Sequence, residues 1–455
     1  MLRDLADAVR ARRISARELV SRSLDRTERL DPKLGAVVGL RAEEALVEAA
    51  TLDERVAGGE DPGSLAGLPL LVKDVEDLRG MPTTRGSEMF RDAAPAERDG
   101  VIVARLRAAG AIAVGKTNTP EFAAEGFTAN GVFGATRNPW APEWSPGGSS
   151  GGSGAAVAAG MAPIATATDA GGSTRIPAAF CGLVGIKPTK GVVAWDFSPC
   201  WPDLTTSGPL AVDVDDLRLL LEVEADGVPA AITGGQLPRR VIALPRVFDW
   251  GPLPASIEEL FRSALDALER DLGLPVEPSE PGDVIRAGNT EETWISLTAP
   301  ELVQWLGRSR AEESLDRFYP TTRSFIEVGL ATSFDEYLAA RRRCAEFARE
   351  LGPVLGRDTV IALPTLASEG WLADGKMPDG GEPGPPPEVY NVSIANLTGL
   401  PAITVPAGRS PNGVPFGLQF IGPRFSDAML LAIGDAWHRA RPWPRAAEGY
   451  EPFDA

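Results

Sequence analysis

The stretch Pro146-Gly-Gly-Ser149-Ser150-Gly-Gly-Ser153-Gly-Ala-Ala-Val-Ala-Ala-Gly160 is the most distinctive part of this sequence, because glycine, serine and alanine make up most of it. It lies in a region, 68–189, where short apolar segments alternate with glycine-dense turns. Four segments have the composition of buried strands: Leu68–Val72, Ala111–Val114, Ile164–Thr168 and Leu183–Ile186. A helix stands between the first two, with Asp99 as its N-cap and Gly110 past its end. This alternation predicts an α/β fold, with a large mixed, mostly parallel twisted sheet covered by helices on both faces.

The rest of the chain extends this core into a single domain, 1–455, with four parts. We expect N-terminal helices in 1–60, the sheet core in 61–224, a helical insert in 225–357 and a return to the sheet in 358–455. Three capping boxes predict helix starts: Ser15-x-x-Glu18, Ser256-x-x-Glu259 and Ser333-x-x-Glu336. Two later segments predict strands: Thr359–Leu363 and Ala402–Val405.

Composition excludes several classes of partner. The chain has 455 residues and a formal net charge of -18, so it lacks a broad basic surface for nucleic acid or anionic lipid. The N-terminus is charged from its third residue and no apolar run is long enough to span a membrane, so we expect a soluble cytoplasmic protein. Three scattered cysteines, without CxxC or clustered histidines, predict neither a disulfide framework nor a metal site.

A phosphate-loop pattern, GxxxxGK[ST], occurs at Gly110–Thr117. Its chemistry needs a loop of free backbone amides between a strand and a following helix. Here the residues between the glycines are Ala-Ile-Ala-Val, which predict a buried strand, and a helix precedes the motif instead of following it. The order of elements therefore disfavours a nucleotide-binding enzyme.

A second pattern, G-x-S-x-G, occurs at Gly147–Gly151 and is typical of the nucleophile elbow of α/β-hydrolases. That fold needs a histidine, and the chain has one, His438. This residue lies near the end of a predicted helix, 426–441, where solvation or an interaction with the helix dipole is a better explanation than catalysis. Serine chemistry in this chain must therefore find its base among the lysines.

A third pattern, Asp169-Ala-Gly-Gly-Ser173-Thr-Arg175, follows the predicted strand 164–168. The N–H groups of residues 170–173 (Ala170, Gly171, Gly172 and Ser173) can converge there on a developing oxyanion, with Asp169 and Arg175 as structural supports of the turn. Lys73 ends an apolar strand upstream. Taken alone, a glycine-rich turn is usually only a turn and a lysine at a strand end is usually solvated.

Together these residues resemble the amidase signature family, whose hallmark is the glycine- and serine-rich segment quoted above. Further motifs carry the resemblance: Gly115–Phe122, Phe133–Trp140, Thr168–Pro177, Cys181–Gly191, Asn396–Ala402 and Gly417–Pro423. The resemblance covers about 60–220 and 358–440 and leaves the predicted insert uncovered.

The resemblance implies a Ser-cisSer-Lys triad without metal or organic cofactor. Ser173 falls at the nucleophile, Ser149 at the serine reached through a cis peptide, and Lys73 at the base, while Ser150 falls at a position that hydrogen-bonds within the triad. For a lysine to act as base at neutral pH, burial must lower its pKa by several units from about 10.4. Neutral Lys73 would then take a proton from Ser149, which takes one from Ser173, which attacks the acyl carbon.

The substrate pocket is less well defined by the sequence. The aromatic segment 194–202 contains Trp195, Phe197 and Trp201, which either line an apolar pocket or pack under the loop. Trp371 begins a segment, 371–390, whose glycine and proline content predicts a mobile lid over the site.

We expect hydrolysis of small amides, anilides or carbamates by a monomer or homodimer that binds neither nucleic acid nor membrane. Three alternatives remain: the glutaminase component of an amidotransferase, a P-loop nucleotide-binding enzyme, and a non-catalytic binding protein on the same scaffold. Fold resemblance alone does not choose among the substrates.

Overall fold

The computed structural model describes residues 1–193, 200–225, 232, 234–249, 251–378 and 391–454. Among these residues, no helix combines the length and apolar character needed to cross a membrane. The helices are α1 (Leu2–Arg10), α2 (Ala16–Leu34), α3 (Ala42–Ala57), α4 (Val101–Ala108), α5 (Gly151–Ala158), α6 (Arg175–Phe180), α7 (Val214–Ala225), α8 (Ala255–Leu272), α9 (Pro281–Val284), α10 (Thr290–Leu306), α11 (Arg308–Glu313), α12 (Pro320–Ala331), α13 (Phe334–Leu355), α14 (Ser393–Thr398) and α15 (Asp427–Ala440). The strands are β1 (Val37–Leu40), β2 (Pro69–Lys73), β3 (Ile112–Thr117), β4 (Ala129–Asn130), β5 (Gly134–Ala135), β6 (Ile164–Ala165), β7 (Thr168–Asp169), β8 (Val184–Lys187), β9 (Thr206–Ser207), β10 (Leu210–Ala211), β11 (Arg240–Ala243), β12 (Val276–Pro278), β13 (Thr359–Pro364), β14 (Ala402–Arg409) and β15 (Pro415–Ile421).

In the part of the chain that the structure describes, the strands form four sheets, of which two have only two strands each, β4-β5 and β7-β9. Of the other two sheets, the larger has seven strands in the order β10-β8-β14-β15-β13-β11-β12, and the smaller has four in the order β1-β3-β2-β6. In the smaller sheet β2 runs parallel to both β3 and β6. The α/β class with a mixed sheet is confirmed. The larger sheet is less parallel than predicted, because β14 pairs antiparallel with both β8 and β15, and the link from β14 to β15 is too short for a parallel crossover.

Helices cover both faces of the larger sheet. Successive residues of β13 alternate between two apolar clusters: Val360 and Ala362 pack in the cluster that includes α15, whereas Ile361 and Leu363 pack in the cluster that includes α10 and α13. Because side chains alternate across a strand, this division places helices on each side of the sheet.

Two capping boxes are confirmed, and two predicted helix starts are wrong. Ser15 and Ser333 cap α2 and α13 as predicted. The N-cap of α4 is Gly100, because the Asp99 carboxylate instead accepts from Arg79 N and pairs with Arg107. The N-cap of α8 is Pro254, so Ser256 lies inside that helix, where its hydroxyl donates to Glu369.

The segment 225–357 is not only helical. It contributes β11 and β12, which pair in parallel with each other, and β11 also pairs with β13. The predicted strand 164–168 is broken into β6 and β7, and the chain changes sheets between them. This break sends β7 away from β6 to pair with β9, and the turn after β7 carries Ser173.

Candidate active site

Lys73 is the last residue of β2, the strand that lies between β3 and β6. Its side chain is 0 % exposed, and its backbone N–H donates to Thr166 Oγ1 at 2.9 Å. The apolar residues that precede it, Leu70–Val72, are fully buried, so the strand carries the amine into the protein interior. The lysine therefore lies under the site instead of reaching solvent.

Three hydroxyls surround the Lys73 amine. Nζ lies 2.8 Å from Ser149 Oγ, 2.8 Å from Ser150 Oγ and 2.9 Å from Thr168 Oγ1. An ammonium donates to all three, whereas a neutral amine has two N–H bonds and a lone pair that accepts from the third. The Ser150 hydroxyl accepts from Nζ and donates its own proton to the Thr168 carbonyl at 3.4 Å. The arrangement is therefore suited to taking a proton from Ser149.

Burial lowers the pKa of Lys73 to about 7, although the carboxylates of Glu76 and Asp169 oppose this shift by favouring the charged form. Desolvation penalises the ammonium because the interior solvates charge poorly. A pKa near 7 leaves a large share of the neutral amine at neutral pH. This lysine has the protonation behaviour that a general base requires.

The backbone before α5 places Ser149. The Gly148–Ser149 peptide bond is cis, as the resemblance implies. A Cβ at Gly148 would lie 2.4 Å from the Phe127 carbonyl oxygen, so a side chain does not fit there. The Ser150 N–H donates to the Ser173 carbonyl at 3.2 Å and joins the two glycine-rich turns. Two serines far apart in sequence are thus neighbours in the fold.

Ser173 and Ser149 line one cavity of about 120 Å³. Ser173 is partly exposed, and its hydroxyl makes no hydrogen bond to the residues that the structure describes. The walls combine apolar and charged groups, with Phe122, Trp201 and Val101 among the former and Glu76, Asp77 and Arg85 among the latter. The free hydroxyl of Ser173 and the Ser149 hydroxyl that contacts Lys73 thus belong to residues that line the same cavity.

Three of the four amides predicted for an oxyanion hole are free. The N–H groups of Ala170, Gly171 and Ser173 make no hydrogen bond within the described ranges. The N–H of Gly172 instead donates to Asp169 Oδ1 at 2.7 Å. Gly172 has φ +115°, a conformation that favours glycine, and this turns its amide toward the carboxylate.

Asp169 and Arg175 pair with each other at the turn of Ser173. They form a fully buried bidentate pair, with Nε to Oδ2 at 2.9 Å and Nη2 to Oδ1 at 2.9 Å. Burial alone would raise the pKa of Asp169, but the Arg175 guanidinium holds it well below its usual range. Asn396 donates to the same carboxylate at 2.9 Å, which ties the turn to α14.

Not every predicted pocket residue is on the wall. Trp201 lines the cavity, whereas Trp195 and Phe197 lie outside the described residues. Trp371 is fully buried in a separate cluster against Phe127 and Phe180. Of the predicted lid, 379–390 lies outside the described residues.

The phosphate-loop pattern does not form a nucleotide-binding loop, and His438 does not lie at the site as a base. Gly115–Thr117 is the end of β3, paired to strands on both sides, and Lys116 is buried 3.1 Å from Asp74. His438 lies in the last turn of α15 and lines neither the cavity nor its surroundings among the described residues.

Two residues at the site were not predicted from the sequence. Thr168 is the third partner of Lys73, and Trp294 of α10 donates from Nε1 to the Ala170 carbonyl at 2.9 Å. Thr168 lies in a quoted motif, which was a usable signal. Trp294 lies in the insert, and its position depends on long-range packing. Among the described residues, no group of three or more His, Cys, Asp or Glu side chains could hold a metal ion.

Comparisons with known proteins show the family of this chain. The family model described as Amidase matches residues 18–431. The chain is 34% identical over 457 residues to the putative amidase AmiA2 of Mycobacterium tuberculosis, covering 97% of this chain and 93% of the relative. It is 32% identical over 484 residues to one component of the glutamyl-tRNA(Gln) amidotransferase of a Cyanothece species, covering 97% and 98%. The crystal structure of a bacterial aryl acylamidase of the amidase signature family superposes with a TM-score of 0.86 at 29% identity, covering 96% and 95%.

Proposed function

The chain belongs to the amidase family and is a hydrolase of amide C–N bonds; from this premise we propose that it cleaves small amides, anilides or carbamates through an acyl- or carbamoyl-enzyme on Ser173. The observation that carries the proposal is the buried Lys73 amine, in contact with the Ser149 hydroxyl at 2.8 Å beneath a cavity that Ser149 and Ser173 both line. No residue outside this cluster has to supply the base.

The first step is a proton relay. Neutral Lys73 accepts the Ser149 proton while Ser149 accepts the Ser173 proton, and the Ser173 oxygen forms a bond to the acyl carbon. Because the Ser173 hydroxyl is unpaired within the described structure, its contact with Ser149 must form when substrate enters. Apo hydrogen bonds at catalytic sites often tighten only in the substrate complex.

The free amides of Ala170, Gly171 and Ser173 stabilise the tetrahedral oxyanion. Each such donor contributes about 2.7–4 kcal/mol to transition-state stabilisation in comparable sites. The proton held by Lys73 then returns through Ser149 to the leaving nitrogen as the C–N bond breaks. Water attacks the resulting ester or carbamate, giving up its proton along the same relay, and releases the acid with Ser173 restored.

Apolar walls and the relatives favour small acyl or aryl groups. Phe122 and Trp201 provide aromatic surface beside Ser173, and the solved neighbour with a TM-score of 0.86 is an aryl acylamidase. A second candidate is glutamine hydrolysis, because relatives across 97% of the chain are amidotransferase components. Glutamine belongs in the substrate panel for that reason.

Labelling with a fluorophosphonate probe, followed by peptide mapping, tests the assignment. We expect modification at Ser173, and loss of both labelling and turnover in folded Ser173→Ala and Lys73→Ala. A panel of p-nitroanilides, aryl carbamates, primary amides and glutamine then identifies the substrate class. Ser153→Ala is the matched control, since Ser153 lies in the same glycine-rich stretch but donates to the Thr166 carbonyl at 2.8 Å. Near-native turnover by the Ser173 or Lys73 variant refutes the proposal.

A further inference from the structure

A second, smaller recess adjoins Ser173. It has a volume of about 20 Å³ and meets the first cavity at Ala123 and Ser173, which line both. Its remaining walls include Gly171, Trp294, Glu125 and Glu291. A space of about 10–15 Å³ holds one water molecule. The recess therefore accommodates one group the size of an amine and no larger part of a substrate.

The two carboxyls are buried without a cation. Glu125 is 9 % exposed and Glu291 is 3 % exposed. No lysine, arginine or histidine among the described residues acts on either group. Buried carboxylates are normally paired with a positive charge, because desolvating an unpaired charge is costly. Two such carboxyls near a nucleophile either stay protonated or take a positive charge from outside the chain.

The carboxylate of Glu125 is also short of hydrogen bonds. The Thr321 hydroxyl favours the ionised form of Glu125 through a hydrogen bond, and no other described residue donates to this carboxylate. The Oε1 of Glu291 accepts from the Ser393 hydroxyl. Glu125 thus presents open acceptor positions to the recess.

Trp294 gives the recess an aromatic wall. Its Nε1 donates to the Ala170 carbonyl at 2.9 Å. A Cβ at Gly171 would lie 2.7 Å from the same nitrogen. The indole therefore lies directly against the turn of Ser173. Carboxylates together with an indole are the groups that recognise an ammonium ion.

We propose that this recess binds the ammonium group of the substrate, so that the enzyme acts on amides or anilides of α-amino acids. The proposal rests on the function proposed above. The recess is lined by Ser173 itself, so the ammonium must lie close to the carbon that Ser173 attacks. In an α-amino amide the nitrogen is two bonds, or about 2.5 Å, from the carbonyl carbon. A more distant amino group would need a longer cleft than this one.

The pKa values of Glu125 and Glu291 agree with the binding of an ammonium group. Burial raises the pKa of Glu125 to about 7 and that of Glu291 to about 8. Without ligand near pH 7, Glu291 is therefore mostly protonated and Glu125 is about half protonated. A bound ammonium stabilises the ionised form.

The test is calorimetric titration of the full-length Ser173→Ala protein at pH 7 with L-alaninamide and with isobutyramide, which replaces the ammonium by a methyl group. We expect L-alaninamide to bind at least tenfold more tightly. Glu125→Gln and Glu291→Gln should each lower that preference at least tenfold. Glu301→Gln should preserve it, because Glu301 lies on the same helix as Glu291 but accepts from the Tyr337 hydroxyl, away from the recess. Equal affinities for the two amides, or an unchanged preference in both glutamate variants, overturn the ammonium site.

Turnover separates this inference from the proposed function. Wild-type protein is given L-alanine p-nitroanilide and isobutyric p-nitroanilide, which release the same chromophore. Comparable rates on both overturn the ammonium site and leave the serine hydrolase standing. Binding of L-alaninamide with its preference intact, but no hydrolysis of either anilide and no labelling of Ser173, overturns the proposed function and leaves the ammonium site standing.

Discussion

Replacing Lys73 by methionine should make protein stability less dependent on pH. The pKa of the buried amine falls from its ordinary value of 10.5 to about 7. At about 1.4 kcal/mol per pKa unit, this shift destabilises the folded state by about 5 kcal/mol wherever both folded and unfolded lysines are protonated. Since Lys73 is 0 % exposed, solvent screening does not reduce this figure. Lys73→Met removes the titrating group and nearly preserves the volume.

The sign follows from proton binding. Between pH 7 and 10.5 the unfolded chain holds a proton on Lys73 that the folded chain has lost, so the wild-type free energy of unfolding rises with pH. Relative to Lys73→Met, wild type should gain about 2 kcal/mol between pH 6 and pH 8.5. Below pH 7 this contribution is constant.

Equilibrium urea unfolding of both proteins at the two pH values measures the effect, because the other titrating groups largely cancel in the difference. Lys33→Met, at an exposed position of α2, is the control and should show no comparable change. If the difference between wild type and Lys73→Met changes by less than about 0.5 kcal/mol, Lys73 does not titrate near neutrality, and its assignment as base fails.

Three further substitutions test the surroundings of the base and the nucleophile. Thr168→Val removes one hydroxyl partner of Lys73 and should lower kcat/KM about three- to tenfold, the equivalent of one net hydrogen bond, in steady-state assays. Asp169→Asn leaves Arg175 buried without its counter-charge and should lower the free energy of unfolding by about 3–5 kcal/mol in urea titrations. Gly172→Ala places a Cβ 2.3 Å from Val392 Cγ2 at φ +115° and should lower both Tm and kcat/KM.

Each of these has a matched control. Thr168→Ser restores the hydroxyl and should recover activity, so an inactive Thr168→Ser variant contradicts the hydrogen-bond explanation. Asp358→Asn breaks an exposed ion pair with Arg239 and should lower the free energy of unfolding by less than about 1 kcal/mol. If Asp169→Asn lowers the free energy of unfolding by no more than this, burial does not strengthen the pair of Asp169 and Arg175. Gly282→Ala has open space around its Cβ and should leave Tm and activity close to wild type.

Local sequence signals predicted the parts of the structure that depend on neighbouring residues. The Ser15 and Ser333 capping boxes follow from contacts a few residues apart. The strand predicted at Ala111–Val114 came from a run of apolar residues, and β3 confirms it for Ile112–Val114.

Long-range contacts account for what the sequence did not predict. Asp99 is a residue type that favours the N-cap, but its carboxylate pairs with Arg107 of α4 and accepts from the N–H of Arg79. β11 and β12 are short and become strands because β11 pairs with β13 and β12 pairs with β11. Glu125 and Glu291 are far apart in sequence, so no motif brings them together beside Ser173.

The pH dependence of Ser173 labelling by a fluorophosphonate tests the central claim most directly, since it measures the nucleophilicity that Lys73 is proposed to create. In wild type, the rate constant should rise about tenfold per pH unit below about 7 and level off above it, following loss of the proton from Lys73. Lys73→Met should react slowly without this transition. A rate independent of pH in wild type, or the same transition in Lys73→Met, would contradict the assignment of Lys73 as the base.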